Sequence, residues 1–140
     1  MLTFYIDKEN RLIIEKFAGI TRIGSIEKLM VHIWDHPHYN KEFDRIVDFQ
    51  DSNLVFSREE FRHFVEVIKE SANSMRGKAA VLVQAPVSAA IVTMYEDRMN
   101  HLHKVGIFCS ESEVVNFLNC DVSIFDKLQS SDVVKVPIEE

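Results

Sequence analysis

Apolar residues recur along this chain with two different periods, and the places where the period changes divide it into elements. Residues 3–7 (TFYID) and 11–18 (RLIIEKFA) are short runs rich in β-branched and aromatic side chains, separated by the polar Lys8-Glu9-Asn10. That arrangement predicts two strands joined by a tight turn. After Gly19 the spacing becomes helical from Thr21 to Asp35, with Ile23, Ile26, Leu29, Met30 and Ile33 on one arc, and Pro37 stops it. Residues 44–49 (DRIVDF) form a third strand. Ser57 and Glu60 then make a capping box, in which the serine hydroxyl accepts from the Glu60 N–H while the glutamate reaches back. Phe61, Phe64, Val65, Ile68 and Ala72 follow at helical spacing to about Asn73.

Gly77 resets the chain. The nearly continuous apolar run Ala79-Ala80-Val81-Leu82-Val83 suits a strand covered on both faces. Pro86 suits the first turn of a helix that reaches about His103. Residues 105–109 (VGIFC) are a fifth strand, and Ser110 with Glu113 forms a second capping box, opening a helix through Leu118. The order β-β-α-β-α-β-α-β-α implies an α/β fold: an open, largely parallel central sheet of about five strands, an N-terminal hairpin, and helices packed on the sheet. One domain spans residues 1–119. Residues 120–140 are an extension too apolar to be a solvated end, with Val122, Ile124, Phe125, Leu128, Val133, Val134 and Val136. Such a segment docks on its own domain or covers a second subunit as a helix plus a short strand; the second option makes a homodimer the expected assembly.

Composition narrows the class. The chain has 140 residues, 46% hydrophobic and 27% charged, with four Gly and three Pro, which describes an ordinary globular domain. Its net charge of −6 is spread over both halves, so no basic arm exists and nucleic acid is not an expected partner. Cys109 and Cys120 lack Cys-x-x-Cys spacing and suit a reducing compartment. The N-terminus is charged at Asp7, Lys8 and Glu9, and no apolar run approaches a membrane span. The chain reads as a cytoplasmic protein without a transmembrane segment.

Candidate chemistry is sparse. His32 and His36 stand four apart on a helix, a spacing that lets two imidazoles share a metal, but no third ligand and no metalloprotease glutamate accompanies them, so no metal or cofactor is expected. Arg98 falls near the middle of the arc formed by Val87, Ile91, Met94, Tyr95 and Leu102. A guanidinium there must snorkel to water, pair with a carboxylate, or hold a bound anion. In open α/β sheets ligands sit beyond the carboxyl ends of parallel strands. Those ends gather Thr21, Asp48, Asp51, Gln84, Ser88 and Ser110, which with Tyr95 and Arg98 are the candidate ligand-binding residues. No catalytic set is recognisable. Asp48 and Asp51 are the carboxylates available for acid–base work.

The element order, together with the segments KEFDRIVDFQD, SREEFRHFVEVIKE, KAAVLVQAP, MYEDRM and VGIFCSESEVVNFL, resembles the SpoIIAA-like family of the STAS superfamily over roughly residues 3–119. The resemblance implies a helix-wound open sheet and a regulatory or interaction module, in some members phosphorylated on a serine that starts the helix after the third strand. Ser57 matches that position. It does not match the motif, because Phe56 stands where the family has Asp and Arg58-Glu59-Glu60 replace the small residue and Gly. The superfamily also contains domains resembling lipid carriers, which keeps an apolar ligand in view. Three functions follow in order: a regulatory module binding a protein partner or a small apolar or anionic ligand; a lipid carrier gated by helices 58–73 and 86–103; and an enzyme using loop carboxylates. A carrier needs a void of several hundred Å³. Ten Phe in so short a chain point instead to a filled core.

Overall fold

The computed structural model describes residues 2–71 and 75–137. Strands β1 (Leu2–Asp7) and β2 (Leu12–Thr21) form the antiparallel hairpin, and α1 (Ile23–Asp35) crosses to β3 (Asp44–Leu54). Helix α2 (Arg58–Glu70) leads to β4 (Ala79–Leu82), α3 (Pro86–Met99) to β5 (Val105–Phe108), and α4 (Glu111–Leu118) to a 3-10 helix over Val122–Gln129. Strand β6 (Val134–Val136) ends the order. The expected end of α2 at Ala72 and Asn73 lies outside the described residues.

The sheet has six strands in the order β5-β4-β3-β2-β1-β6. The run β2 to β5 is parallel, and β1 pairs antiparallel with both β2 and β6. The sixth strand comes from the apolar tail, through Leu2 opposite Val136 and Phe4 opposite Val134. Ile124 of the 3-10 helix is buried as well. With these residues covered within the chain, the tail no longer supplies a reason to expect a dimer.

Period-2 alternation gives the sheet two unlike faces. Ile13, Phe17, Phe49, Ala79 and Val81 point to one, which packs against α1, α2 and α3. Leu12, Ile14, Ile46, Ala80 and Leu82 point to the other, which packs against α4 and the 3-10 helix. A bulge opposite Lys16–Ala18 separates the two stretches of β2–β3 pairing, and Gly19 beyond it takes φ 79°, a left-handed conformation that favours glycine.

Helix α3 departs from the sequence reading. Its buried residues are Ser88, Val92 and Met99, while Val87 (68%), Met94 (43%) and, in the turn beyond the helix, Leu102 (39%) are exposed. The predicted arc splits: Val87, Met94 and Leu102 face outward, while Ile91 and Tyr95 are half-buried against the core. The sequence has apolar residues around most of this helix, so periodicity alone places only part of its buried face.

Candidate functional site

Glu15 sits in β2 between Ile13 and Phe17, on the apolar side that faces the helices. Arg45 sits on the same side of β3, with Val47 and Phe49 following it. The register sets Arg45 opposite Ile13 and Glu15 opposite Val47, so the two charges are diagonal neighbours across the parallel pair. They meet in a two-pronged ion pair: Arg45 Nε donates to Glu15 Oε2 at 2.7 Å and Nη2 to Oε1 at 3.0 Å. The side chains are 13% and 1% exposed respectively. Burial works against the arginine's charge, but the adjacent glutamate more than offsets this and raises the guanidinium's pKa further above its ordinary value. The remaining nitrogen, Nη1, is directed at the Met75 sulfur.

Against this pair lies a cavity of about 80 Å³. Phe17 and Phe49 form part of its sheet side, with their ring centroids 4.8 Å apart. Phe61 and Phe64 close it from α2, and Ile91 and Tyr95 from α3. The lining is apolar except at the end where Glu15 and Arg45 meet Tyr95 and His103. The Tyr95 hydroxyl lies 3.1 Å from His103 Nε2. Burial pushes the Tyr95 phenol up to about 12, against the pull of Arg45. Burial, reinforced by the Arg45 charge, holds the His103 imidazole down at about 4. At neutral pH both groups are therefore uncharged, and the ionic charge at this end is that of a mutually neutralising pair. No buried side-chain nitrogen or oxygen among the described residues lacks a hydrogen-bond partner.

The candidates at the strand ends do not converge on one point. Thr21 is buried and shares a hydroxyl–hydroxyl hydrogen bond with Ser52. Ser88 is buried and accepts the Leu54 N–H at 3.1 Å, fixing the start of α3 to the end of β3. On the opposite side of the sheet, Lys16 Nζ lies 3.4 Å from Asp48 Oδ2 and 3.0 Å from Asp51 Oδ2. Burial opposes the lysine's charge, yet the two carboxylates together raise its pKa above the ordinary value. Asp48 also accepts the Gln50 N–H at 2.9 Å. Gln84 is exposed.

Ser110 accepts the Glu113 N–H at 3.3 Å, but Glu113 Oε1 takes the Ser110 hydroxyl at 2.9 Å, so only half of the expected capping box forms. Ser57 makes both halves of its box: its hydroxyl oxygen accepts the Glu60 N–H at 3.1 Å, and its own N–H donates to Glu60 Oε1 at 3.0 Å. His36 Nδ1 accepts the His38 N–H at 3.1 Å, and its ring packs edge-on to Phe4.

Of the named candidates only Tyr95 lines the cavity. Arg98 is exposed, lays its guanidinium 5.3 Å from the centroid of the Phe61 ring, and donates to the Met94 carbonyl at 3.2 Å. It snorkels, one of the three options its position in the sequence left open. Glu15, Arg45 and His103 are the polar residues that the sequence reading missed. A usable signal existed: a charge at the middle of the Ile13-x-Glu15-x-Phe17 alternation, and an opposite charge opening Arg45-x-Val47-x-Phe49.

No family model matches the chain, and no curated protein matches it. Among solved structures, the chain is similar to an uncharacterised DUF3478-family protein with a SpoIIAA-like fold from Shewanella loihica. The match covers 84% of this chain and 93% of that one, with a TM-score of 0.54 and 10% sequence identity. The chain has a SpoIIAA-like fold. No helix among the described residues is long and apolar enough to cross a membrane.

Proposed function

We propose that this protein is a small binding module whose ligand is a compact apolar molecule held between α2, α3 and the sheet. The observation that carries this reading is the cavity beside the Glu15–Arg45 pair. Apolar voids of this kind stay dry and accept small apolar molecules, whereas a filled core would leave them no room. The volume of about 80 Å³ is well short of the several hundred Å³ that a lipid tail requires, so carriage of a whole lipid would need α2 to move away from the sheet. A regulatory role follows from the same geometry, because α2 and α3 form both the cavity wall and the outer surface. Ligand occupancy then alters the face offered to a partner. In this reading the module works in the cytoplasm, where its two free cysteines remain reduced.

The outward stripe of Val87, Met94 and Leu102 favours a second, compatible role as the surface where a protein partner, including a second copy of the chain, docks. Native mass spectrometry of the gently purified protein tests both roles. The expected spectrum contains a retained small molecule that denaturation releases. Bare protein that gains no thermal stability from any of a panel of small aromatic and aliphatic compounds would contradict the ligand reading. A single monomeric species at all concentrations would contradict self-association.

A further inference from the structure

The polar end of the cavity carries information about ligand class beyond its being apolar. An arginine beside an apolar void would ordinarily select an anion, because its fork of N–H donors matches a carboxylate. Here that fork is already engaged: Glu15 takes Nε and Nη2, and Nη1 is directed at Met75. An incoming carboxylate would meet the Glu15 carboxylate at close range in a poorly solvated space, and an incoming ammonium would meet Arg45. Either would also leave its hydration shell without finding a free counter-charge, which is the costliest way to bury an ion. The two other polar groups at this end, Tyr95 and His103, are neutral at physiological pH and already face each other at 3.1 Å. That bond uses the single hydrogen-bonding site of His103 Nε2, whereas the Tyr95 hydroxyl keeps capacity for one uncharged polar atom.

We propose that the cavity selects net-neutral ligands, compact apolar molecules bearing a hydroxyl or carbonyl that bonds to the Tyr95 hydroxyl, and rejects the matching carboxylates. This rests on the reading of the cavity as a ligand site. The buried ion pair then acts as a charge filter, and the Tyr95 hydroxyl as the positioning contact.

Toluene, benzyl alcohol and benzoate present one ring with an apolar, a neutral polar and an anionic substituent. Their binding to the full-length protein is measured by methyl chemical-shift titration at pH 7.5. Benzyl alcohol is expected to bind at least tenfold more tightly than benzoate. Tyr95→Phe should reduce benzyl alcohol binding while leaving toluene unchanged, a split that a merely structural role for the hydroxyl would not produce. Glu15→Gln frees the arginine and should narrow or invert the preference for the alcohol over benzoate. Should that variant fail to fold, Glu15→Met combined with Arg45→Met removes both charges, and benzoate should remain the poorest ligand because no cation has been exposed.

Benzoate binding as tightly as benzyl alcohol to the unaltered protein would overturn the charge filter while leaving the ligand site standing. Loss of toluene and benzyl alcohol binding in equal measure on Tyr95→Phe would overturn the hydrogen-bonding role. No binding by any of the three would overturn the ligand site itself, and the filter with it.

Discussion

Glu15 and Lys16 are adjacent on β2, yet each takes a partner from β3 on a different side of the sheet, and the two ion pairs could hardly differ more. Glu15 and Arg45 point toward α2 and α3 and form a two-pronged pair with side chains only 1% and 13% exposed. Lys16 and Asp48 follow strand alternation to the other side, near the bulge, where Lys16 keeps 33% exposure and is shared between Asp48, 4% exposed, and Asp51, 67% exposed. The first pair is locked against a cavity; in the second the lysine and Asp51 reach solvent while Asp48 stays buried. Sequence adjacency therefore says little about what a charge does, because one step along a strand moves a side chain to the opposite face of the sheet and to other partners.

The largest expected effect comes from breaking the dry pair. Glu15→Ala strands a buried guanidinium, and urea unfolding should show a loss of about 3–5 kcal/mol. Replacing both partners, Glu15→Met with Arg45→Met, should restore most of that stability, since an apolar pair of similar volume carries no desolvation cost. A Glu15→Ala loss of no more than about 1 kcal/mol, which is the range of exposed pairs, would mean that the pair is solvated after all.

Acid provides the next effect. The folded-state pKa of His103, at about 4, lies below its unfolded value of 6.5. The unfolded chain therefore takes up the proton first as pH falls. Stability from this group is fully present above pH 6.5 and is lost as pH drops toward 4. Between pH 7.5 and 5 the loss attributable to His103 should be about 2 kcal/mol. It is read as the difference between the parent and His103→Asn in denaturant unfolding at the two pH values, which cancels the other titrating groups. Equal pH dependence in parent and variant would refute a buried neutral imidazole.

On the wet side the effects shrink. Lys16→Met should cost no more than about 1 kcal/mol, and that cost should fall further in high salt. A loss comparable to that of Glu15→Ala would erase the contrast between the two sides. Smallest of all, Arg98→Met should change stability by about 0.5 kcal/mol, because it removes one exposed contact with the Phe61 ring. A shift of several degrees in Tm would mean that Arg98 supports the α2–α3 wall more than its exposure suggests.

How much of this is legible in the sequence follows from the physics of each feature. Periodicity finds every strand of the parallel run, because buried strands leave apolar runs that turns and caps delimit, and the Ser57–Glu60 box places the start of α2 to the residue. It falls short on α3, where Val87 and Met94 on one side and Val92 and Met99 on the other leave no single apolar arc. The ion pair and His103 are hard to see for a different reason. Glu15 and Arg45 are 30 positions apart, and only the parallel register brings them together. The strand-end rule leads to Thr21, Asp48 and Ser88, which are occupied with bonds that tie neighbouring elements together. The cavity instead runs beneath two helices whose facing residues are aromatic and therefore look, in sequence, like filled core.

What distinguishes the two sides of the sheet is an apolar ligand cavity under α2 and α3; the larger pocket on the other side, about 380 Å³ between the hairpin turn and the 3-10 helix, is lined mainly by polar residues such as Asp7, Asn10, Asp121 and Lys127. Methyl-resolved NMR during a toluene titration tests this distinction most directly. Saturable shifts are expected at Val81, Ile91 and Val92 around the cavity, with none at Val114 and Leu118 across the sheet. Saturation without any shift at the first group, or equal shifts on both sides, would contradict it.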